Sequence, residues 1–235
     1  EDHLIRLACQ IRPAAALTIT RLTRTTDAAA AEPELDMTGI ERQVAALCVQ
    51  LQDQATLVGA RRAYDAIFLL NEFLDMVHAA VANHNGWVVR MTGSGVIAVF
   101  GRDDSAQIAC RAAAAASADI DVALDRMNEK FAAELGRPIA VAMGLAFGTA
   151  YLGRVGAGPQ KLPTAIGPVI DAACGLAGHA ETRGSQLLSD PAAIQAGRLD
   201  ATVFQLVSLT AESGDTRNVF ATGHARLGVS DKPQS

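Results

Sequence analysis

The rhythm of apolar and polar positions changes several times along the chain, and each change predicts an element. Gln43 to Gln52 (QVAALCVQLQ) is a short apolar run ending in polar residues, as a buried strand would be. From Tyr64 the period lengthens: Ile67, Leu70, Leu74, Val77 and Val81 recur every three or four residues, an apolar stripe along one helix face. Asn83-His84-Asn85-Gly86 then ends the helix with residues that tolerate left-handed backbone. Trp87 to Met91 and Val96 to Phe100 are apolar runs joined by Thr92-Gly93-Ser94-Gly95, a tight hairpin signal. Asp103-Asp104-Ser105 caps a helix that passes through a run of alanines toward Phe131 and stops near Gly136-Arg137-Pro138.

A second, glycine-studded hairpin is predicted from Ile139 to Ala146 and Thr149 to Val155. Pro168 to Thr182 reads as a helix with Gly184 behind it, Gln186 to Leu188 as a short strand, and Asp190-Pro191 as the start of a short helix. Val203 to Leu209 and Asn218 to Ala221 form a closing strand pair. Strands and helices in this order predict an α+β fold: a mostly antiparallel sheet with flanking helices, packed on one face. The first residues behave differently. Thr23 to Gly39 is polar, Ala-rich and broken by Pro33, so 1–40 reads as a helix or arm and a linker, 41–224 as the domain, and 225–235 as a tail.

Charge narrows the function. Twenty Lys+Arg against twenty-five Asp+Glu give a net charge of −5, which disfavours nucleic-acid binding and a polybasic hold on lipid. No apolar run reaches the roughly 20 residues of a membrane helix. Cys9, Cys48, Cys110 and Cys174 are scattered in apolar settings with no zinc spacing, so they read as buried reduced thiols in a reducing, cytoplasmic compartment. The five histidines are likewise too dispersed for a metal site. The chain starts at Glu1, which is read as a cut from a longer protein with an upstream sensor or membrane domain.

Three segments carry a family pattern. Leu70-Asn71-Glu72-Phe73-Leu74, Gly86, and Arg90-Met91-Thr92-Gly93-Ser94-Gly95-Val96-Ile97-Ala98-Val99-Phe100-Gly101 resemble the core of the class III nucleotidyl (adenylyl/guanylyl) cyclases, which runs LLNEYF, a glycine, then KFIGDGVMAVFG. Met143-Gly144-Leu145, Gly148, Gly153 and Gly156 resemble the family's IGIHTGxVVVGxxG segment, and Thr164-Ala165-Ile166-Gly167 its YTVIGDTVNLAARL segment. The likeness covers Arg42 to Thr222. It implies the ferredoxin-like fold of class III cyclases and active sites shared between two chains. The GGDEF signature of diguanylate cyclases does not match Thr92-Gly93-Ser94-Gly95.

The resemblance also names the side chains that cyclase chemistry uses, and here they differ. Gln50 stands at the first metal-binding aspartate and Ser94 at the second, in the hairpin tip. Asp171 replaces the ribose- and triphosphate-positioning asparagine, and Gly175 the transition-state arginine. Asp53, Gln54 and Ala55 replace a phosphate-cradling glycine and the Phe-Thr after it. Mg²⁺ or Mn²⁺ is held chiefly by carboxylates and substrate phosphates, which an amide and a hydroxyl replace poorly. Phosphoryl transfer relies on those metals to raise the nucleophile and neutralise the leaving group. A lost transition-state donor typically costs about 10²–10³-fold in rate. Asp171 adds negative charge where phosphate would lie.

Sequence alone therefore predicts a degenerate cyclase-homology domain with no cofactor, acting as a dimerising signalling module. An active cyclase with unusual metal ligands, or a metal-free nucleotide sensor, is the alternative. Arg90 and Thr164 occupy the two base-selecting positions, as vestigial substrate contacts or, for Arg90, as a solvated strand residue. A homodimer, or a heterodimer with another cyclase-like domain, is expected; an active partner would find both shared sites incomplete, because this chain lacks both halves.

Overall fold

The computed structural model describes residues 39–52, 63–135, 137–157, 160–210 and 216–225. The proposed arm over 1–40 apart from Gly39 and Ile40, the Asp53-Gln54-Ala55 stretch and nearly all of the 225–235 tail lie outside them. The first strand, β1, spans Ile40–Leu51, and helix α1 spans Ala63–Asn83. Strands β2 (Trp87–Thr92) and β3 (Gly95–Phe100) form the predicted hairpin. Helix α2 runs Ala106–Lys130, with the Ser105 hydroxyl accepting from the Ile108 amide as its N-cap, and a short α3 (Ala132–Leu135) follows. Strand β4 is Val141–Ala157, β5 Gln160–Ile166, α4 Pro168–Arg183 and β6 Leu187–Ser189. Helix α5 (Pro191–Gly197), β7 (Gln205–Thr210) and β8 (Thr216–Thr222) complete the described chain.

The strands form one sheet in the order β2-β3-β1-β4-β6-β8-β7, with β5 paired to β4. Every pairing is antiparallel except β4 with β6. The α+β, mostly antiparallel expectation holds.

Helices cover both faces of the sheet, not one. Along β1, Ala45, Leu47, Val49 and Leu51 join a core with α1, α2 and α5, while Val44, Ala46 and Cys48 join a second core with α4. Continuous apolar runs such as VAALCV are what a strand buried on both faces requires. A one-sided layer would have shown alternation.

Two further expectations are corrected. The second hairpin does not turn between Ala146 and Thr149: Gly148 pairs with Val44 inside the continuous β4, whose hairpin partner is β5. Full pairing with the 12-residue β1 holds β4 straight through its glycines. The buried stripe of α1 is Ala66, Leu69, Phe73, Val77 and Val81, so the helix is turned by about one position and Ile67 is 58% exposed. Phe73, fully buried against both α2 and the sheet, sets that rotation.

Candidate functional site

Strand register assembles most of the candidate site. On β1, even-numbered positions face α4, so Cys48 and Gln50 look toward that helix. Gln50 pairs with Gly95 on β3 and with Ala142 on β4. The Leu51 amide donates to the Ser94 carbonyl at 2.7 Å, which fixes the β2–β3 tip against the end of β1. A side chain at Gly95 would collide with the Val49 carbonyl, so glycine is what lets the two backbones meet. Positions 50 and 94 are therefore brought close at the strand ends. What they present is an amide and a hydroxyl. The Ser94 hydroxyl and amide engage Thr92 Oγ1 at 3.2 and 3.3 Å, which closes the tip on itself.

The next row of the sheet runs Arg90, Ile97, Cys48, Gly144 across β2, β3, β1 and β4. Residues directly opposite one another in antiparallel strands share a face. Ile97 and Cys48 belong to the core under α4, so Arg90 lies on that side too, exposed at its edge. At Gly144 the helix touches the strand directly: an added Cβ would meet the Ala173 carbonyl and the Ala177 amide nitrogen. This contact seats the middle of α4 over Cys48.

Helix α4 carries the other two predicted positions, Asp171 in its first turn and Gly175 one turn on, both exposed. Thr164 stands apart on β5, opposite Gly153, its hydroxyl donating to the Leu162 carbonyl at 3.1 Å. Asp171 and Gly175 thus lie on α4 with Arg90 beside it, while Gln50 and Ser94 sit at the strand ends.

Two features escaped the sequence reading. Arg217 on β8 reaches over the helix, its Nη2 3.9 Å from where a Cβ on Gly175 would stand. Its distance along the chain hid it. The second is a thiol pair. Cys174, half-buried on α4, packs into the same core as the buried Cys48 thiol, and each acts on the other's ionisation. The neighbouring Cys48 thiol pulls Cys174 down to about 7, helped by Arg90 and opposed by burial and Asp171. Cys48 is pushed up by Cys174 and by burial. Cys110 is alone on the opposite face, and burial raises it to about 12. The expectation of uniformly buried thiols thus fails at Cys174. Among the described residues no group of three His, Cys, Asp or Glu side chains is arranged to hold a metal ion. No described helix is long and apolar enough to cross a membrane.

No protein-family model matches the chain. It is 32% identical over 173 residues to an uncharacterized protein of Mycobacterium tuberculosis, a match covering 72% of this chain and 30% of the relative. It is 26% identical over 157 residues to adenylate cyclase 1 of Rhizobium meliloti, covering 65% and 23%. The chain thus spans less than a third of the length of these relatives. Among solved structures, the guanylyl cyclase Cya2 superposes with a TM-score of 0.69 at 18% identity, covering 80% of this chain and 95% of the other. The adenylyl cyclase CyaB of P. aeruginosa gives 0.65 at 18% identity, covering 78% and 94%.

Proposed function

We propose that this chain, which is homologous to the class III adenylyl/guanylyl cyclase catalytic domains and has their fold, is a non-catalytic member that works as a dimerising, cytosolic signalling module. The observation that carries this reading is the pairing of Gln50 with Gly95, beside Ser94. At positions 50 and 94, which the family resemblance assigns to metal-binding carboxylates, stand an amide and a hydroxyl. A divalent ion in that place would find neutral oxygens, far weaker ligands for a hard cation than carboxylates. At the other end of the site, Asp171 would face polyphosphate with like charge and Gly175 offers no donor.

Under this reading the chain pairs with a copy of itself or with another cyclase-like domain and transmits a signal from an upstream segment. With an active cyclase as partner it acts as an inhibitor, since it supplies neither half of a shared site. The test is turnover of ATP and GTP by the purified chain with Mg²⁺ and with Mn²⁺. No cyclic nucleotide is expected above the level of a boiled sample. Metal-dependent production of cAMP or cGMP overturns the reading.

A second reading, metal-free nucleotide binding, draws support from Arg90 and Arg217, two guanidinium groups bordering α4. Calorimetry with ATP, GTP and the cyclic nucleotides separates it from the first: saturable heat without divalent cation favours the sensor, and none at millimolar nucleotide dismisses it.

A further inference from the structure

We propose that Cys48 and Cys174 form a reversible thiol–disulfide site, in which Cys174 is the peroxide-reactive thiol and Cys48 the resolving one. The inference goes beyond the proposed signalling role and does not depend on it. Its basis is placement. Cys48 pairs with Gly144, α4 rests its Ala173 and Ala177 backbone directly on that glycine, and Cys174 packs against the core that holds Cys48. The two thiols lie within the same core between sheet and helix, near enough for each to act on the other's ionisation. Their exposure differs in the sense such a pair needs: Cys48 is 2% exposed, and Cys174 is half-buried and open to a small oxidant.

Charge around the pair acts on Cys174. Arg90, from β2, favours its thiolate, and Asp171, one turn earlier on α4, opposes it. A thiolate beside a guanidinium, with a second thiol in contact, is the arrangement in which oxidation proceeds to a disulfide. The Cys174 sulfur attacks one oxygen of hydrogen peroxide. The O–O bond breaks, hydroxide leaves and takes up a proton as water, and Cys174 becomes a sulfenic acid. The Cys48 sulfur then attacks that sulfur. The S–S bond forms, the S–O bond breaks, and a second water departs with the Cys48 proton. Two thiols are oxidised by two electrons, and one peroxide is reduced to two waters. A dithiol reverses the exchange. The bond would tie α4 to β1, and with it the helix that carries Asp171 and Gly175.

The test treats the full chain with a graded series of hydrogen peroxide, followed by alkylation under denaturing conditions and peptide mapping. A Cys48–Cys174 linked peptide that dithiothreitol removes is expected, with Cys110 still alkylated at every dose. In Cys48→Ser, Cys174 stops at a sulfenic acid that dimedone traps. Arg90→Gln, which leaves the core untouched, slows alkylation of Cys174 at pH 7 several-fold, and Asp171→Asn speeds it. A wild-type chain in which Cys174 is oxidised while Cys48 stays free, or is bridged to Cys9, overturns the proposal. So does Cys110 reacting as fast as Cys174.

Discussion

Asp190 joins parts of the chain that sequence keeps apart. Its carboxylate accepts the Ala193 amide at 2.7 Å, capping α5, and the Phe147 amide of β4 at 3.2 Å. Burial pushes its pKa above the ordinary 3.8, against the downward pull of those two amides and of Arg217. Asp190→Ala leaves both amides without an acceptor, so unfolding in urea should show a loss of about 1–3 kcal/mol. Asp190→Asn keeps an oxygen and sheds the desolvated charge, and loses less. The pH dependence has a definite sign. Because the folded carboxyl holds its proton more tightly than the unfolded one, its contribution is complete below 3.8 and declines as pH rises through the folded value. Wild-type stability relative to Asp190→Asn should therefore fall, not rise, over that interval, as urea midpoints at successive pH values would record. The capping half of this behaviour is legible in Asp190-Pro191, because a cap is a local device. The bond to Phe147 is not, and neither is the meeting of Cys48 with Cys174: contacts between distant segments leave no trace in local spacing.

Elements were readable in proportion to how far their own residues dictate them. Helix α2 matches its predicted bounds because Ser105 caps it and Gly136-Arg137-Pro138 follows its end. Strand β5, with Pro163 and few apolar residues, gave no strand signal; it exists because β4 extends past β1 and offers a free stretch to pair with. The packing of α4 depends on one position in β4. Gly144→Ala would drive a methyl group into the helix backbone, which cannot move aside as a side chain does. A loss of about 1–3 kcal/mol is expected in denaturant unfolding, together with a weaker Cys48–Cys174 contact. Gly178 lies inside the same helix, and beyond the adjoining helix backbone no described atom stands within 4 Å of its added Cβ. Gly178→Ala should therefore stabilise the chain by about 0.5–1 kcal/mol, since alanine narrows the unfolded ensemble and favours helix. Opposite signs from the same substitution in elements packed together would confirm that α4 is seated by Gly144; a stable Gly144→Ala chain would refute it.

At the scale of the molecule, the sheet places positions 50 and 94 side by side whatever residues fill them, because backbone pairing and the Gly95 contact set the geometry. Fold and chemistry are separable here, and the separation can be measured. Gln50→Asp combined with Ser94→Asp puts two carboxylates on a scaffold already in register. The double variant should gain saturable Mn²⁺ binding in the range of about 10⁻⁴–10⁻³ M expected of a site with few charged ligands, read by the loss of the free-ion signal in electron paramagnetic resonance, where the wild type shows none. Under the proposed non-catalytic reading, turnover of ATP or GTP should remain absent, because a carboxylate at Asp171 would oppose phosphate and Gly175 has no side-chain donor. If metal binding does not appear, the strand ends are not held as the register requires. If turnover appears with it, the losses on α4 are not disabling, and the carboxylates alone separate this chain from a working enzyme.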